Sequence, residues 1–66
     1  MNIFTNGKRR ALEAGASVGD LLRSLGLDPL QVVVEHNGEP LARESFSTAA
    51  LREGDRLEIA QMVGGG

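Results

Sequence analysis

The chain has 66 residues, enough for one small domain near the lower size limit for folding without disulfides or bound metals. Its hydrophobic content of 41% is ordinary for a globular chain, and the absence of cysteine excludes a disulfide scaffold or a thiolate metal site. The formal net charge of −2 argues against a nucleic-acid binder, because such proteins normally carry a basic face.

The chain opens with a predicted β-hairpin. Residues 1–5 have the composition of a strand, and Asn6-Gly7 favours a type I′ turn because both residues tolerate a positive φ. The return strand is predicted at Lys8–Glu13. It begins with the only basic cluster of the chain, residues 8–10, which we interpret as the solvated side of the hairpin.

A short amphipathic helix is predicted next. Ser17 has the position of an N-cap, and Asp20 completes an approximate capping box. Apolar residues then recur at helical spacing on one face, at Val18, Leu21, Leu22 and Leu25. Gly26 is expected to end the helix after about eight residues, since glycine readily adopts the left-handed conformation that closes a helix.

The second half of the chain predicts a second hairpin and a last strand. Leu30–His36 is rich in β-branched residues, and Asn37-Gly38 is a turn signal of the same kind as the first, with a return through Glu39–Ala42. Residues 43–52 are expected to be irregular, with Phe46, Leu51 and Ala49 or Ala50 tucked under the sheet. Arg56–Val63 alternates like a strand.

These elements predict an α+β fold in a single domain, residues 1–66. One helix can bury its apolar stripe only against a sheet, so we expect one sheet with the helix on one face. No internal repeat, linker or second domain is visible. No run approaches the roughly 20 apolar residues of a membrane span, and nothing resembles a signal peptide, so we expect a cytoplasmic protein without a membrane partner.

The chain lacks the residue sets of common catalytic and metal sites. His36 is the only histidine, and beside a turn it is predicted to be a solvent-facing edge residue. The serines lack a nucleophile motif, and no phosphate-binding glycine loop is present. We therefore expect no metal, no permanently bound cofactor and no enzymatic activity of its own.

The three glycines at the end of the sequence are the strongest functional signal. Gly64 and Gly65 form a stalk that can enter a narrow channel, because glycine has no Cβ, and Gly66 presents the carboxylate. A carboxylate becomes reactive when a partner enzyme adenylates it with ATP, and a sulfur donor can then convert the mixed anhydride to a thiocarboxylate. The alternative is a frayed tail without function.

A docking surface is also predicted, because ordering three glycines costs roughly 3–6 kcal/mol that contacts elsewhere must supply. Strand alternation places Ile3, Thr5, Leu57 and Ile59 on the helix side of the sheet. Phe4, Ala60 and Met62 then face the other side and, with Val63, form an exposed apolar patch near the tail.

Several segments in order resemble the ThiS family of sulfur carriers in thiamine biosynthesis. They are I-x-x-N-G near the start, S-V-G-D-L-L at the helix, V-V-V-E-H-N-G, E-G-D-R-L-E-I and the diglycine end. The resemblance covers the whole chain. It implies a ubiquitin-like β-grasp fold, a mixed sheet of four to five strands with the first and last strands parallel.

The resemblance also implies a chemical role for the tail. Gly66 would be adenylated by a ubiquitin-activating-like adenylyltransferase that uses ATP and Mg, and would then receive sulfur from a donor such as a cysteine desulfurase system. Thiazole synthase would take the sulfur for the thiazole ring of thiamine. Gly65 would be the second glycine of the pair and Gly64 one residue beyond the minimal pattern.

Two alternatives remain open at this point. The first is the small subunit of molybdopterin synthase, which uses the same thiocarboxylate on the same fold. The second is a ubiquitin-like interaction module whose tail is never activated.

Overall fold

The computed structural model describes residues 1–62, so the predictions for Val63, Gly64, Gly65 and Gly66 lie outside the described residues. The strands are β1 (Asn2–Thr5), β2 (Lys8–Ala11), β3 (Val32–His36), β4 (Glu39–Leu41) and β5 (Arg56–Gln61); the helix is α1 (Val18–Ser24), and Pro29–Gln31 and Arg43–Ser45 are short 3₁₀ helices. The five strands form one sheet in the order β2-β1-β5-β3-β4. β1 and β5 are parallel, and the other neighbours are antiparallel.

Both predicted hairpin turns are present. Asn6 and Gly7 have φ of 50° and 81°, and Asn37 and Gly38 have φ of 52° and 87°, as a type I′ turn requires. The predicted return strand was two residues too long, because β2 ends at Ala11. β1 begins at Asn2, whose partner is Ala11, so the pairing of the two strands ends there.

The helix begins and ends as predicted, within one residue. Ser17 Oγ accepts a hydrogen bond from the backbone N–H of Asp20 at 3.1 Å, and Asp20 Oδ2 accepts one from the backbone N–H of Ser17 at 2.9 Å. This reciprocal pair is the capping box. Gly26 follows the helix with φ of 72°.

The core lies between α1 and the sheet and is aliphatic apart from one ring. Its buried members are Ile3, Val18, Leu21, Leu22, Val32, Val34, Phe46, Leu51 and Leu57. Phe46 and Leu51 come from the segment predicted to be irregular, and they tuck under the sheet as expected. Ile59, predicted in the core, is partly buried against it.

The third predicted strand begins two residues later than expected. Pro29–Gln31 form a 3₁₀ helix, and Asp28 Oδ1 accepts a hydrogen bond from the backbone N–H of Leu30 at 2.9 Å. A proline at the first helical position has its φ preset for this turn, so the local geometry overrides the β-like composition of Leu30 and Gln31.

His36 differs from its prediction as a solvent-facing residue. It lies on the helix side of β3, its side chain is only 23% exposed, and its Nε2 is 2.9 Å from Asp55 Oδ2. Asp55 also accepts hydrogen bonds from Asn37 Nδ2 and from the backbone N–H of Arg52. Partial burial acts to raise the pKa of Asp55, but the hydrogen bonds from His36, Arg52 and Asn37 outweigh it and lower the pKa.

The Asp55 carboxylate should make stability pH-dependent in acid. Because its pKa is lower in the folded protein, its stabilising effect is present above the unfolded value of about 3.9 and is lost as the pH falls through the folded value. We expect Asp55→Asn to lower the free energy of unfolding at neutral pH by about 1–3 kcal/mol, with the difference shrinking in acid. Urea unfolding over pH 2–7 measures the free energy of unfolding of wild type and Asp55→Asn, with Glu44→Gln as an exposed control. A loss of stability in Asp55→Asn that is equal at every pH would contradict the prediction.

Candidate functional site

The central strand β5 leads directly into the glycine tail. It lies third in the sheet, between β1 and β3, and Met62 continues the ladder by donating its backbone N–H to the carbonyl oxygen of Gln31 at 2.7 Å. The segment that precedes residue 63 is therefore held on a rigid element. Functional geometry is better defined on such an element than on a loop.

Two asparagines of the hairpin turns fasten β5 with their side chains. Asn6 Oδ1 accepts from the backbone N–H of Ile59 at 2.8 Å, and Asn6 Nδ2 donates to the carbonyl of Ile59 at 3.0 Å. Asn37 Oδ1 accepts from the backbone N–H of Arg56 at 2.8 Å. The sequence analysis assigned both asparagines to turns because they tolerate a positive φ. It did not predict that their side chains hydrogen-bond to β5.

We expect Asn6→Gly to loosen β5 just before the tail. Glycine keeps the positive φ but removes both side-chain hydrogen bonds to Ile59, a loss of about 1–2 kcal/mol. Amide hydrogen exchange should therefore accelerate at Ile59 more than at Val34, its partner on β3. Asn6→Asp keeps the acceptor for the Ile59 N–H and should show a smaller effect; equal exchange rates in wild type and Asn6→Gly would contradict this role.

Of the predicted docking residues, the three that the structure describes, Phe4, Ala60 and Met62, lie on the sheet face away from α1, but not together. Phe4 is half-buried and lies opposite Arg56, whose guanidinium carbon is 5.8 Å from the centre of its ring. Ala60 is four residues farther along β5, roughly 13 Å at the usual rise of a strand. Ala60 is exposed, and the side chain of Met62 follows it at 45% exposure.

The exposed apolar surface of this face is concentrated at the tail end of β5. Val33 is 54% exposed and pairs with Ala60 across the β3–β5 ladder. Beside them Pro40 of β4 lines a shallow groove of about 290 Å³. We call Val33, Pro40, Ala60 and Met62 the outer patch.

The outer patch has an acidic margin. Glu35 and Glu58 are directly opposite each other in the ladder, on the same face as Val33 and Ala60, and both are exposed. Like charges in such a pair repel, so a cationic side chain of a partner would be favourable there. The one positive charge along this face of β5 is Arg56, at the Phe4 end.

The sequence analysis did not include Val33 and Pro40 in the exposed apolar patch, although a signal for Val33 was present. In the run Val32-Val33-Val34 the first and third residues are buried, so alternation places the middle one outside. Its neighbour across the sheet depends on the β3–β5 register, which the sequence does not reveal.

Within residues 1–62 no three His, Cys, Asp or Glu side chains cluster as metal ligands would. Across the same range, no helix has the length and apolar character needed to cross a membrane.

Comparison with known families matches residues 3–66 to the model of the ThiS family. The chain belongs to the ThiS family. Among solved structures, the crystal structure of the thiamine biosynthesis protein ThiS from Geobacter metallireducens is 36% identical, with each chain covered completely and a TM-score of 0.84. A solution structure of a thiamine biosynthesis protein from that organism is also 36% identical, covering this chain fully and 88% of the other, with a TM-score of 0.79.

The fold of this ThiS-family chain is the ubiquitin-like β-grasp, as the resemblance implied. SAMP1 from Haloferax volcanii shares it with a TM-score of 0.61 at 23% identity, over 98% of this chain and 97% of that one. At that identity the likeness concerns the fold alone.

Two curated relatives are longer proteins. The chain is 39% identical over 66 residues to a thiazole synthase of Paramagnetospirillum magneticum and 36% identical to one of Magnetococcus marinus. In both cases the whole chain is covered, but only 20% of the relative. This ThiS-family chain thus spans about a fifth of the length of the curated relatives it matches.

Proposed function

We propose that this protein carries sulfur as a thiocarboxylate on Gly66 and delivers it for the thiazole ring of thiamine. The observation that carries the proposal is the position of the outer patch: two of its residues, Ala60 and Met62, lie on or just after β5, the strand that precedes the glycine tail, and Val33 pairs with Ala60. Membership of the ThiS family supports the same role. The protein is then a co-substrate of partner enzymes rather than a catalyst, and it needs no resident cofactor.

The proposed chemistry has two steps. A carboxylate oxygen of Gly66 attacks the α-phosphorus of ATP on an adenylyltransferase, which forms the acyl adenylate and releases pyrophosphate. Hydrosulfide, supplied by a donor such as a cysteine desulfurase system with a thiol reductant, then attacks the Gly66 carbonyl carbon; AMP leaves, a proton is lost, and the thiocarboxylate remains. The Mg that accompanies ATP belongs to the activating partner. The proposal requires Gly66 to carry a free carboxylate.

Docking supplies the free energy that orders the tail. Three extended glycines span roughly 10 Å, so the partner's catalytic groups must lie about that far beyond Val63. Fixing their backbone costs roughly 3–6 kcal/mol. We propose that Val33, Ala60 and Met62, with Val63, form the centre of the docking surface, and that Phe4 lies at its margin beside Arg56.

Thiazole synthase is the proposed acceptor of the sulfur. Two thiazole synthases contain a segment similar to this whole chain, which supports a close relation between the carrier and that enzyme. The adenylyltransferase and the sulfur donor are proposed from the chemistry that Gly66 requires.

Reconstitution with alternative acceptors tests the pathway. The thiocarboxylate form, prepared by chemical synthesis, is mixed with thiazole synthase and its small-molecule substrates or with the large subunit of molybdopterin synthase. We expect sulfur transfer only to the thiazole product. Transfer in the molybdopterin reaction instead would assign the chain to that pathway, and no transfer in either would favour an interaction module whose tail is not activated.

A further inference from the structure

The two edges of the sheet differ in their capacity to pair with another strand. Pro40 of β4 lies between Glu39 and Leu41, which pair with His36 and Val34 of β3. In a hairpin with a two-residue turn, Glu39 and Leu41 direct their backbone N–H and C=O groups toward β3. Pro40 is thus the position of β4 that points outward, and proline has no N–H to donate. This edge is closed to an incoming strand.

The β2 edge is open. The hydrogen bonds between Met1 and Leu12 fix the ladder so that Ile3–Arg10 and Thr5–Lys8 exchange backbone hydrogen bonds. Arg9 and Ala11 therefore direct their N–H and C=O groups away from β1. Neither residue donates to another group within residues 1–62. An unpaired edge of this kind is a template for an added strand.

Positive charge is concentrated at this edge. Lys8, Arg9 and Arg10 are consecutive residues in a protein of net charge −2, and across residues 1–62 none of them forms a salt bridge. Arg10 is half-buried, and its Nε donates to the hydroxyl of Thr5 at 2.7 Å. Thr5 is a buried polar residue, and its hydroxyl holds the guanidinium of Arg10 in place at the edge of the sheet.

A cleft of about 470 Å³ lies beside this edge on the helix side of the sheet. Lys8 and Arg10 line one wall, and Leu25 and Leu27, which follow the helix, line the other. Both leucines are partly buried against the core and leave part of their surface in the cleft. The cleft combines cationic side chains with an apolar wall next to free backbone groups.

We propose that the β2 edge binds an extended acidic segment of a partner protein by strand addition. Backbone groups of Arg9 and Ala11 pair with the segment, while Lys8 and Arg10 on one face and Arg9 on the other contact its carboxylates. An apolar side chain of the segment enters the cleft between Arg10 and Leu27. This surface is separate from the outer patch and does not depend on the chemistry of Gly66.

Charge distinguishes this occupant from two others. A second copy of the chain would place the basic β2 strands side by side, and like charges directly opposite are unfavourable. A nucleic acid would use the cations but neither the unpaired Arg9 and Ala11 groups nor the apolar wall. An acidic peptide strand uses all three features.

The test uses ¹⁵N-labelled full-length protein and a synthetic peptide of alternating valine and glutamate. We expect amide hydrogen exchange at Arg9 and Ala11 to slow by about tenfold or more at saturating peptide, with little change at Glu39 and Leu41 of the closed edge. The valine–lysine counterpart of the peptide should produce no protection. Binding of the acidic peptide without protection at Arg9 and Ala11, or equal binding of both peptides, would overturn the proposal.

Two variants separate the charge from the strand pairing. Arg9→Glu should weaken binding of the acidic peptide about tenfold or more, whereas Arg52→Glu, an exposed residue outside the sheet, should leave it unchanged. Ala11→Pro removes an outward N–H and should abolish the protection at Arg9. If Ala11→Pro does not fold, the affinity of Arg9→Glu for the acidic peptide tests the proposal by itself. Equal losses for Arg9→Glu and Arg52→Glu, or a short single-stranded DNA competing as well as the peptide, would contradict strand addition.

Discussion

Leu57→Ala is expected to remove a large part of the stability of the fold. Leu57 is 1% exposed on the central strand and belongs to the core under α1. Truncation of a buried leucine costs about 2–5 kcal/mol, through lost burial and the cavity left behind. A domain of this size has roughly 3–10 kcal/mol of stability in total, so the variant should be partly unfolded or close to it at room temperature.

Leu30→Ala is the matched control for this effect. The same atoms are removed, but Leu30 is 63% exposed on the 3₁₀ helix before β3. We expect the free energy of unfolding to change by less than about 0.5 kcal/mol, as is usual for surface substitutions. Urea unfolding followed by circular dichroism measures both variants; similar losses in the two would show that the core is not where the structure places it.

Val33→Lys is expected to weaken binding to the activating enzyme by about tenfold to a hundredfold. Val33 lies at the centre of the outer patch, and loss of a central interface residue commonly costs about 1.5–3 kcal/mol. The fold should persist, because Val33 is 54% exposed and Glu35 and Glu58 on the same face favour a nearby cation. Calorimetric titration of the enzyme with wild type and variant gives the ratio of dissociation constants.

Ser47→Lys controls for the added charge. Ser47 is exposed on the segment after the second 3₁₀ helix, away from the outer face of the sheet. We expect the affinity of Ser47→Lys for the activating enzyme to equal that of wild type. Phe4→Lys should weaken binding less than Val33→Lys does. If Phe4→Lys weakens binding most, the interface is centred at the other end of the face.

Local signals in the sequence were sufficient for most elements of the fold. The capping box at Ser17, the positive φ at Asn6 and Asn37 and the apolar stripe of α1 depend on residues within a few positions of each other. Such interactions form with little help from the rest of the chain, so the pattern alone predicts them. The parallel pairing of β1 and β5, by contrast, was predicted through the family resemblance.

The features that the sequence did not predict depend on contacts between distant residues. The side chain of Asn6 hydrogen-bonds to Ile59, and His36 contacts Asp55. Because the partners are far apart in the sequence, no local pattern predicts either contact. The separation of Phe4 from Ala60 follows from the β1–β5 register, in which Phe4 is opposite Arg56. Alternation assigns a residue to a face of the sheet, but only the register shows which residues on that face are neighbours.

Intact-mass spectrometry tests the central claim most directly. The protein as the cell makes it is incubated with the adenylyltransferase, ATP, Mg and a sulfur donor, beside a synthetic chain with an amidated C-terminus that has the same length but no carboxylate. We predict a gain equal to the exchange of one oxygen for one sulfur, located on Gly66 by fragmentation and absent from the amide. An unchanged mass with the cognate activating enzyme, or sulfur located on any other residue, would contradict the carrier function.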